Sequence, residues 1–208
     1  MFRSLEKAAN ANHTMSQFHL AGCYRNGLGV GQDHTKAVDM YRKLAECGMA
    51  QAQIALGQCY EIGKGVDQAY DTAIEWYSKA ADQGSYSDSQ FWIGDCYYHA
   101  LGVSLDYKKA FEWFIKSANQ GNSYGQWKVG YCYYNGHGVA EDNAKGFKWF
   151  QKSAEQGNRY GQWWLGDCFH NAYGVPQDID TAISWWLKSA EQGQEDAIND
   201  LNFLGKWP

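Results

Sequence analysis

Residues 122–157 read NSYGQWKVGYCYYNGHGVAEDNAKGFKWFQKSAEQG, and this stretch carries the stop and start signals of two helices. Gly125, Val129 and Tyr133 stand at i, i+4 and i+8, which is one face of a first helix, helix A. Gly136 supplies the left-handed residue that ends it. After the turn Gly136-His137-Gly138-Val139 comes Asp142, whose carboxylate can accept backbone N–H groups and so cap a second helix, helix B, running to about Gln156.

The same stretch recurs on both sides. Cys23-Tyr24, Cys59-Tyr60, Cys96-Tyr97, Cys132-Tyr133 and Cys168-Phe169 follow one another at steps of 36, 37, 36 and 36 residues. Seven residues after each Cys stands Val30, Val66, Val103, Val139 or Val175, each preceded by glycine. A small residue comes seven further on, at Ala37, Ala73, Ala110, Gly146 or Ala182. Aromatic pairs follow: Trp76-Tyr77, Trp113-Phe114, Trp149-Phe150 and Trp185-Trp186, with Met40-Tyr41 as the looser version. Periodic self-similarity of this length means a repeat architecture. Asp33, Asp106 and Asp178 share the cap position of Asp142, whereas the second repeat has Ala69 there, so its helix B should start differently or be less well capped, at a cost of about 1 kcal/mol.

The repeats are read as 13–48, 49–84, 85–121, 122–157 and 158–193, with the extra residue of the third spacing in the Ser85-Tyr86-Ser87-Asp88 connection. Phe2 to Ala11, with Lys7-Ala8-Ala9, reads as a lone helix B that caps the first repeat (1–12). Glu195 to Leu204 reads as a lone helix A, packing through Ala197, Leu201 and Leu204 (194–208). Terminal half-repeats cover apolar faces that would otherwise meet water. A single domain over 1–208 is expected.

The pattern Leu56-Gly57-x-x-Tyr60-x-x-Gly63-x-Gly65-Val66, then Ala73-x-x-Trp76-Tyr77-x-Lys79-Ala80-Ala81-x-x-Gly84, resembles the Sel-one-like repeat, a relative of the tetratricopeptide repeat. The resemblance covers nearly the whole chain. It implies an all-α, right-handed solenoid of five helix-turn-helix repeats of about 36 residues, helix A lining a concave surface, and an adaptor role in multiprotein complexes. The sequence departs from the pattern at Ala21 for the helix A glycine of the first repeat, at Ala100 and Ala172 for the glycine after helix A, and at Gly146 for the small residue of helix B. These departures put local helix ends in doubt and leave the architecture standing.

Composition narrows the function. A net charge of -5 gives no electrostatic footprint for nucleic acid or an anionic membrane. No apolar run reaches the roughly 18 to 20 residues that span a bilayer, and the N-terminus has no secretory apolar segment, so membrane insertion is not expected and the chain reads as cytoplasmic. Two prolines against 23 glycines suit many helices ended by glycine.

Six cysteines could suggest a disulfide framework. Five of them hold equivalent positions, however, and equivalent neighbouring helices lie roughly 10 Å apart, whereas a disulfide needs Cα atoms within about 7 Å. They read as a ladder of small buried thiols, with Cys47 the more exposed exception. The cysteine-rich branch of the resembled family pairs two cysteines within each repeat, and no second cysteine recurs here. Cys96-Tyr97-Tyr98-His99, Cys168-Phe169-His170 and the His19/Cys23 pair lack the paired spacing of structural zinc, so no metal or other cofactor is expected. Nucleophile elbow, P-loop and zinc-protease patterns are missing, and the Gly-x-Gly turns join helix to helix. The Asn12-His13-Thr14 sequon is read as chance.

Helix A has a second apolar side. In the fourth repeat Tyr124, Trp127, Tyr131 and Tyr134, with Asn135 beside them, centre about half a turn from the Gly125-Val129-Tyr133 stripe. Equivalent positions are Tyr160, Trp163, Asp167, His170 and Asn171 in the fifth repeat, and Asp88, Phe91, Asp95, Tyr98 and His99 in the third. Tyr and Trp combine a large contact area with a polar handle. Of these positions Phe91, Asp95, Tyr98, His99, Tyr124, Trp127, Tyr131, Tyr134, Asn135, Tyr160, Trp163, Asp167, His170 and Asn171 form the expected partner-binding groove. Asp95, Asp167 and Glu61 favour a basic or donor-rich ligand. Packing between adjacent A helices is the competing reading for the same rings. For Trp76, Trp113, Trp149 and Trp185 on helix B, core or convex packing is expected.

A protein- or peptide-binding scaffold, monomeric or weakly self-associating, is therefore the first reading. A structural or self-associating module is the second. A hydrolase on a cell-wall-like substrate, proposed for some members of the resembled family, comes last, since no titratable constellation supports it.

Overall fold

A computed structural model describes residues 2–11, 13–84 and 86–207, which leaves Asn12 of the sequon and Ser85 of the third connection outside the described residues. Among the described residues the chain forms twelve α-helices and no strand. They group into two compact units, Met1–Ser104 and Leu105–Pro208. The repeat frame predicted one domain; the division falls in the turn of the third repeat, which gives its A helix to the first unit and its B helix to the second.

The first unit holds α1 (Phe2–Asn10), α2 (Thr14–Asn26), α3 (His34–Glu46), α4 (Ala50–Ile62), α5 (Tyr70–Ala81) and α6 (Ser87–His99). The second holds α7 (Tyr107–Asn119), α8 (Ser123–Asn135), α9 (Asn143–Glu155), α10 (Arg159–Asn171), α11 (Ile179–Ala190) and α12 (Glu195–Phe203). Within each unit every helix packs on its successor, and α8 also meets α10. Helices α2, α4, α6, α8 and α10 are the A helices, α3, α5, α7, α9 and α11 the B helices. Helices α1 and α12 are the two half-repeats. Ala197 and Leu201 of α12 are fully buried against Trp186 and Ala190, with Leu204 partly buried beside them.

Capping explains where the helices begin. Asp33, Asp106, Asp142 and Asp178 accept the backbone N–H groups of Lys36, Lys109, Lys145 and Thr181 at 2.9–3.0 Å. Ala69 makes no such bond, yet α5 starts in register at Tyr70, where Asp71 Oδ1 takes the Thr72 N–H at 2.7 Å. The helix ends in doubt also hold. Ala100 and Ala172 close α6 and α10 in the left-handed conformation, φ 57° and 59°, as Gly136 closes α8 at 68°.

The core comes from the second aromatic of each helix B pair. Tyr41, Tyr77, Phe114, Phe150 and Trp186 are all buried. A Cβ added at Gly57 or Gly130 would stand 2.6 or 2.7 Å from the rings of Tyr77 and Phe150, so helix A leaves out a side chain to admit the ring. Ala21 takes that position in the first repeat with Tyr41 still buried. The second turn glycine is equally constrained: Gly138 has φ 74°, and a Cβ there would run into the Tyr107 carbonyl of the preceding B helix. Trp76, Trp113, Trp149 and Trp185 are half-buried. Over each ring lies the ammonium of Lys79, Lys116, Lys152 or Lys188, 4.0–4.2 Å from the centroid.

A polar column runs beside this core. Gln17 and Gln53 in the first unit, and Gln126 and Gln162 in the second, donate to the carbonyls of Ala9, Ala45, Ala118 and Ala154 near the end of the preceding B helix, at 3.1–3.5 Å. Those last-turn carbonyls are the groups a helix leaves unpaired. Gln53, Gln126 and Gln162 in turn accept from Gln83, Gln156 and Gln192, which stand just past the ends of their own B helices, at 2.7–2.8 Å. A slip of one position would leave a buried amide unsatisfied at about 1–3 kcal/mol, so the column sets the register of the stack. All six cysteines are free; Cys59, Cys96, Cys132 and Cys168 are buried, Cys23 is half-buried and Cys47 exposed. Burial pushes the Cys96, Cys132 and Cys168 thiols up to about 12.

Candidate functional site: the aromatic face of the A helices

In the second unit the expected residues come together along α8 and α10. Tyr160 is the pivot. Its ring stacks on Trp127 at 4.5 Å and 18°, tilts against Tyr124 at 6.2 Å, and carries the Arg159 guanidinium 4.8 Å above it. Arg159 also donates to the Tyr160 hydroxyl at 2.8 Å. One turn on, Tyr131 and Tyr134 both meet Trp164, at 5.3 and 4.9 Å. Tyr134 also meets Tyr173 of the following turn at 5.2 Å, and the hydrogen bond between those two hydroxyls pushes Tyr134 up to about 12. These rings pack between adjacent A helices, and they keep an outer surface: Tyr124 is 46% exposed, and Trp127, Tyr131, Tyr134, Tyr160 and Trp163 are half-buried.

The acidic end of this face is at α10 and α12. Trp163 Nε1 donates to Asp200 Oδ2 at 2.8 Å. Trp127, its counterpart one repeat earlier, keeps its Nε1–H buried with no acceptor among the described residues. Asp167 lies half-buried one turn from Trp163. Burial first, and the neighbouring Asp200 second, raise its carboxyl to about 6, although Asn171 Nδ2 donates to it at 2.8 Å. His170 leans on the Trp186 ring at 5.1 Å and shares a 3.2 Å contact with Asn171. Asn135 is exposed and bonds back to the Tyr131 carbonyl.

The expected residues of the third repeat lie in the first unit and differ. Phe91 and Tyr98 are buried, so they offer little surface to a partner. Phe91 packs edge-on against Trp92 at 5.1 Å and Tyr98 against His99 at 4.9 Å. His99 is exposed, with Nε2 3.5 Å from Asp95 Oδ1. Glu61 is half-buried and accepts the Tyr77 hydroxyl at 2.6 Å; burial raises its carboxyl and the Asp95 charge adds to the effect.

Sequence reasoning missed three residues of the second unit. Trp164 stacks on Phe150 at 5.2 Å and touches Trp163, Tyr131 and Tyr134, so it joins the core to the exposed face. Tyr173 extends that face from a turn. Lys128 is buried, with its ammonium 4.9 Å from the Trp127 ring. Lys128 and Trp164 share the position four residues before a helix A cysteine, which holds His19, Ala55 and Trp92 in the earlier repeats; that column was the available signal for these two, whereas Tyr173 stands in a turn. Among the described residues no three His, Cys, Asp or Glu side chains gather as metal ligands, and no helix is long and apolar enough to cross a membrane.

The profile of the Sel1 repeat matches residues 14–49, 50–85, 87–122, 123–158 and 159–194. Among solved structures, a Sel1 repeat protein from Oxalobacter formigenes is 32% identical with a TM-score of 0.83, over 91% of this chain and 75% of that one. A protein called c5321, a protective antigen present in uropathogenic Escherichia coli strains displaying an SLR fold, is 36% identical with a TM-score of 0.82. The match covers 96% of this chain but only 43% of that protein. Immunity protein Pa5087 from Pseudomonas aeruginosa, 21% identical with a TM-score of 0.62 over 91% of this chain and 72% of that one, shares the fold. No curated protein matches the chain.

Proposed function

Because the chain belongs to the Sel1 repeat family, whose members are generally protein-interaction scaffolds without catalytic activity, we propose that it is an adaptor that docks a peptide or protein segment on the aromatic face of α8 and α10. The observation that carries this reading is the Tyr124, Trp127, Tyr131, Tyr160 and Trp163 stripe, whose rings hold one another in place and still present a surface. Rings fixed before binding lose little entropy when a partner arrives. Asn135, His170 and Asn171 edge the stripe with polar groups. Asp95 and His99 would serve the same purpose in the first unit, over the buried Phe91 and Tyr98. A cytoplasmic setting is part of this proposal.

The partner is basic along this face. Asp167 is desolvated and repelled by Asp200, and an arriving lysine or arginine relieves both effects. Binding therefore favours ionised Asp167. As pH falls through about 6 the free site takes up a proton that a bound cation must displace, so affinity is about tenfold weaker at pH 5 than at pH 7.5.

The test is capture by the wild-type chain set against the double variant Trp127→Ala/Tyr131→Ala and against Asp167→Asn, with photo-crosslinking from position 124 to locate the partner. Binding lost in the double variant with helicity retained, and weakened in Asp167→Asn, is the expected result. A partner that binds all three chains alike, or crosslinks nowhere on this face, would sink the reading. Concentration-dependent mass with crosslinks between copies would point instead to a self-associating module.

A further inference from the structure

The first unit has an open cleft of about 640 Å³ along α1, α2, α3 and α4, with Asp88 of α6 at its edge, a size typical of binding sites for small ligands. Two columns of residues explain it. Directly before the helix A cysteines stand Gly22, Gln58, Asp95, Tyr131 and Asp167; four residues before them stand His19, Ala55, Trp92, Lys128 and Trp164. Gly22 and Ala55 are the smallest of their columns. The volume that Tyr131 and Trp164 fill in the second unit is therefore open in the first. A Cβ on Gly22 would meet only the Tyr41 hydroxyl, at an ordinary 3.6 Å.

The walls are mostly apolar, formed by Leu5, Phe18, Leu28, Tyr41 and Ile54. Among the described residues the one Lys or Arg that lines them is Arg25, half-buried in the last turn of α2, where the other repeats carry Glu61, Tyr98, Tyr134 and His170. Its guanidinium sits 6.0 Å from the Tyr41 ring centroid. Among the described residues no carboxylate forms an ion pair with it. A half-buried guanidinium over apolar walls complements an anion attached to an apolar body, and its planar fork matches a carboxylate. Asn26, Gln51 and Gln58 add amide groups, which can pair with a peptide backbone. The exposed carboxylate of Asp88 also lines the opening, so residues further along the ligand are neutral or basic.

We propose that this cavity receives the carboxyl-terminal residue of a peptide, with its apolar side chain against Phe18 and Ile54, its terminal carboxylate on Arg25, and its preceding peptide groups along Asn26, Gln51 and Gln58. This site is separate from the aromatic face of α8 and α10 and stands or falls without it.

Fluorescence anisotropy with the full chain and a fluorescein-labelled Gly-Ser-Lys-Phe peptide tests it, with leucine- and isoleucine-ended versions beside it. Saturable binding is expected, weakened about tenfold or more by amidation of the carboxyl terminus and equally by Arg25→Gln. Gly22→Tyr, which fills the cavity with the side chain the fourth repeat already carries in that column, abolishes it. Ala55→Trp does the same by another route if Gly22→Tyr fails to fold. Equal binding of acid and amide overturns the proposal, as does indifference to Arg25→Gln or to the filling variants with the melting temperature unchanged. N-acetylphenylalanine binding as tightly as the peptide would make this a small-molecule site and overturn the peptide assignment. No saturation by any of the three peptides at millimolar concentration would do so too.

Discussion

The two units build their A helices on one frame and put opposite things in the same columns. In the second unit Tyr131 and Trp164 fill the space between α8 and α10, and the excess of rings emerges as a surface. In the first, Gly22 and Ala55 leave that space empty, and Arg25 overlooks it. The difference teaches that in a repeat protein the backbone pattern secures the stack, while side-chain volume in a few columns decides whether a repeat offers a face or a hole.

Exchanging those volumes is the largest perturbation. Trp164→Ala removes the ring that Phe150, Trp163, Tyr131 and Tyr134 all touch, and should cost about 3 kcal/mol and free the half-buried Tyr131 and Tyr134. The mirror change, Ala55→Trp, places a similar ring where there is already room and should cost less than about 1 kcal/mol. Thermal melts of both variants decide the matter. Similar losses from the two would mean that the first unit's cavity is not usable space.

Charge sharpens the same comparison more gently. Asp167 is raised to about 6 in the folded chain, so its ionised form weighs against folding once pH rises above about 4, and fully so above about 6. Asp167→Asn removes that penalty. With allowance for its partial exposure, the variant should be about 1 kcal/mol more stable than wild type at pH 7 and no more stable near pH 4. The same substitution weakens a basic partner, so stability and binding should move in opposite directions. A gain in stability that persists at pH 4 would show that the carboxyl's charge is not its cause.

What could be read in advance follows from where each determinant sits. The five repeats, both lone helices and the aspartate caps were legible because each depends on residues within a turn or two of one another. The aromatic face was legible as a stripe but not as a structure: Trp127 meets Tyr160, and Tyr131 meets Trp164, across a repeat boundary that periodicity along one helix does not report. Trp164 and Tyr173 escaped for that reason. The glutamines at 17, 53, 126 and 162 recur as plainly as the cysteines, yet apolar periodicity gives a polar column no weight, and its purpose shows only when the carbonyls of the preceding helix are in view. The cavity was least legible of all, since it is made by what Gly22 and Ala55 lack.

The smallest effect tests whether the contrast between the units stops at side chains. Ala100 ends α6 in the first unit and Ala172 ends α10 in the second, both left-handed at φ 57° and 59°. An alanine Cβ in that conformation crowds the following carbonyl at about 1 kcal/mol or more, and glycine removes the clash at the expense of a freer unfolded chain. Ala100→Gly and Ala172→Gly should therefore each gain about 0.5 kcal/mol, roughly 1–2 °C in a chain of this length. Because the cause is confined to one residue's backbone, the two gains should be equal despite the different columns around them. A gain at one site and a loss at the other would carry the difference between the units down into the backbone.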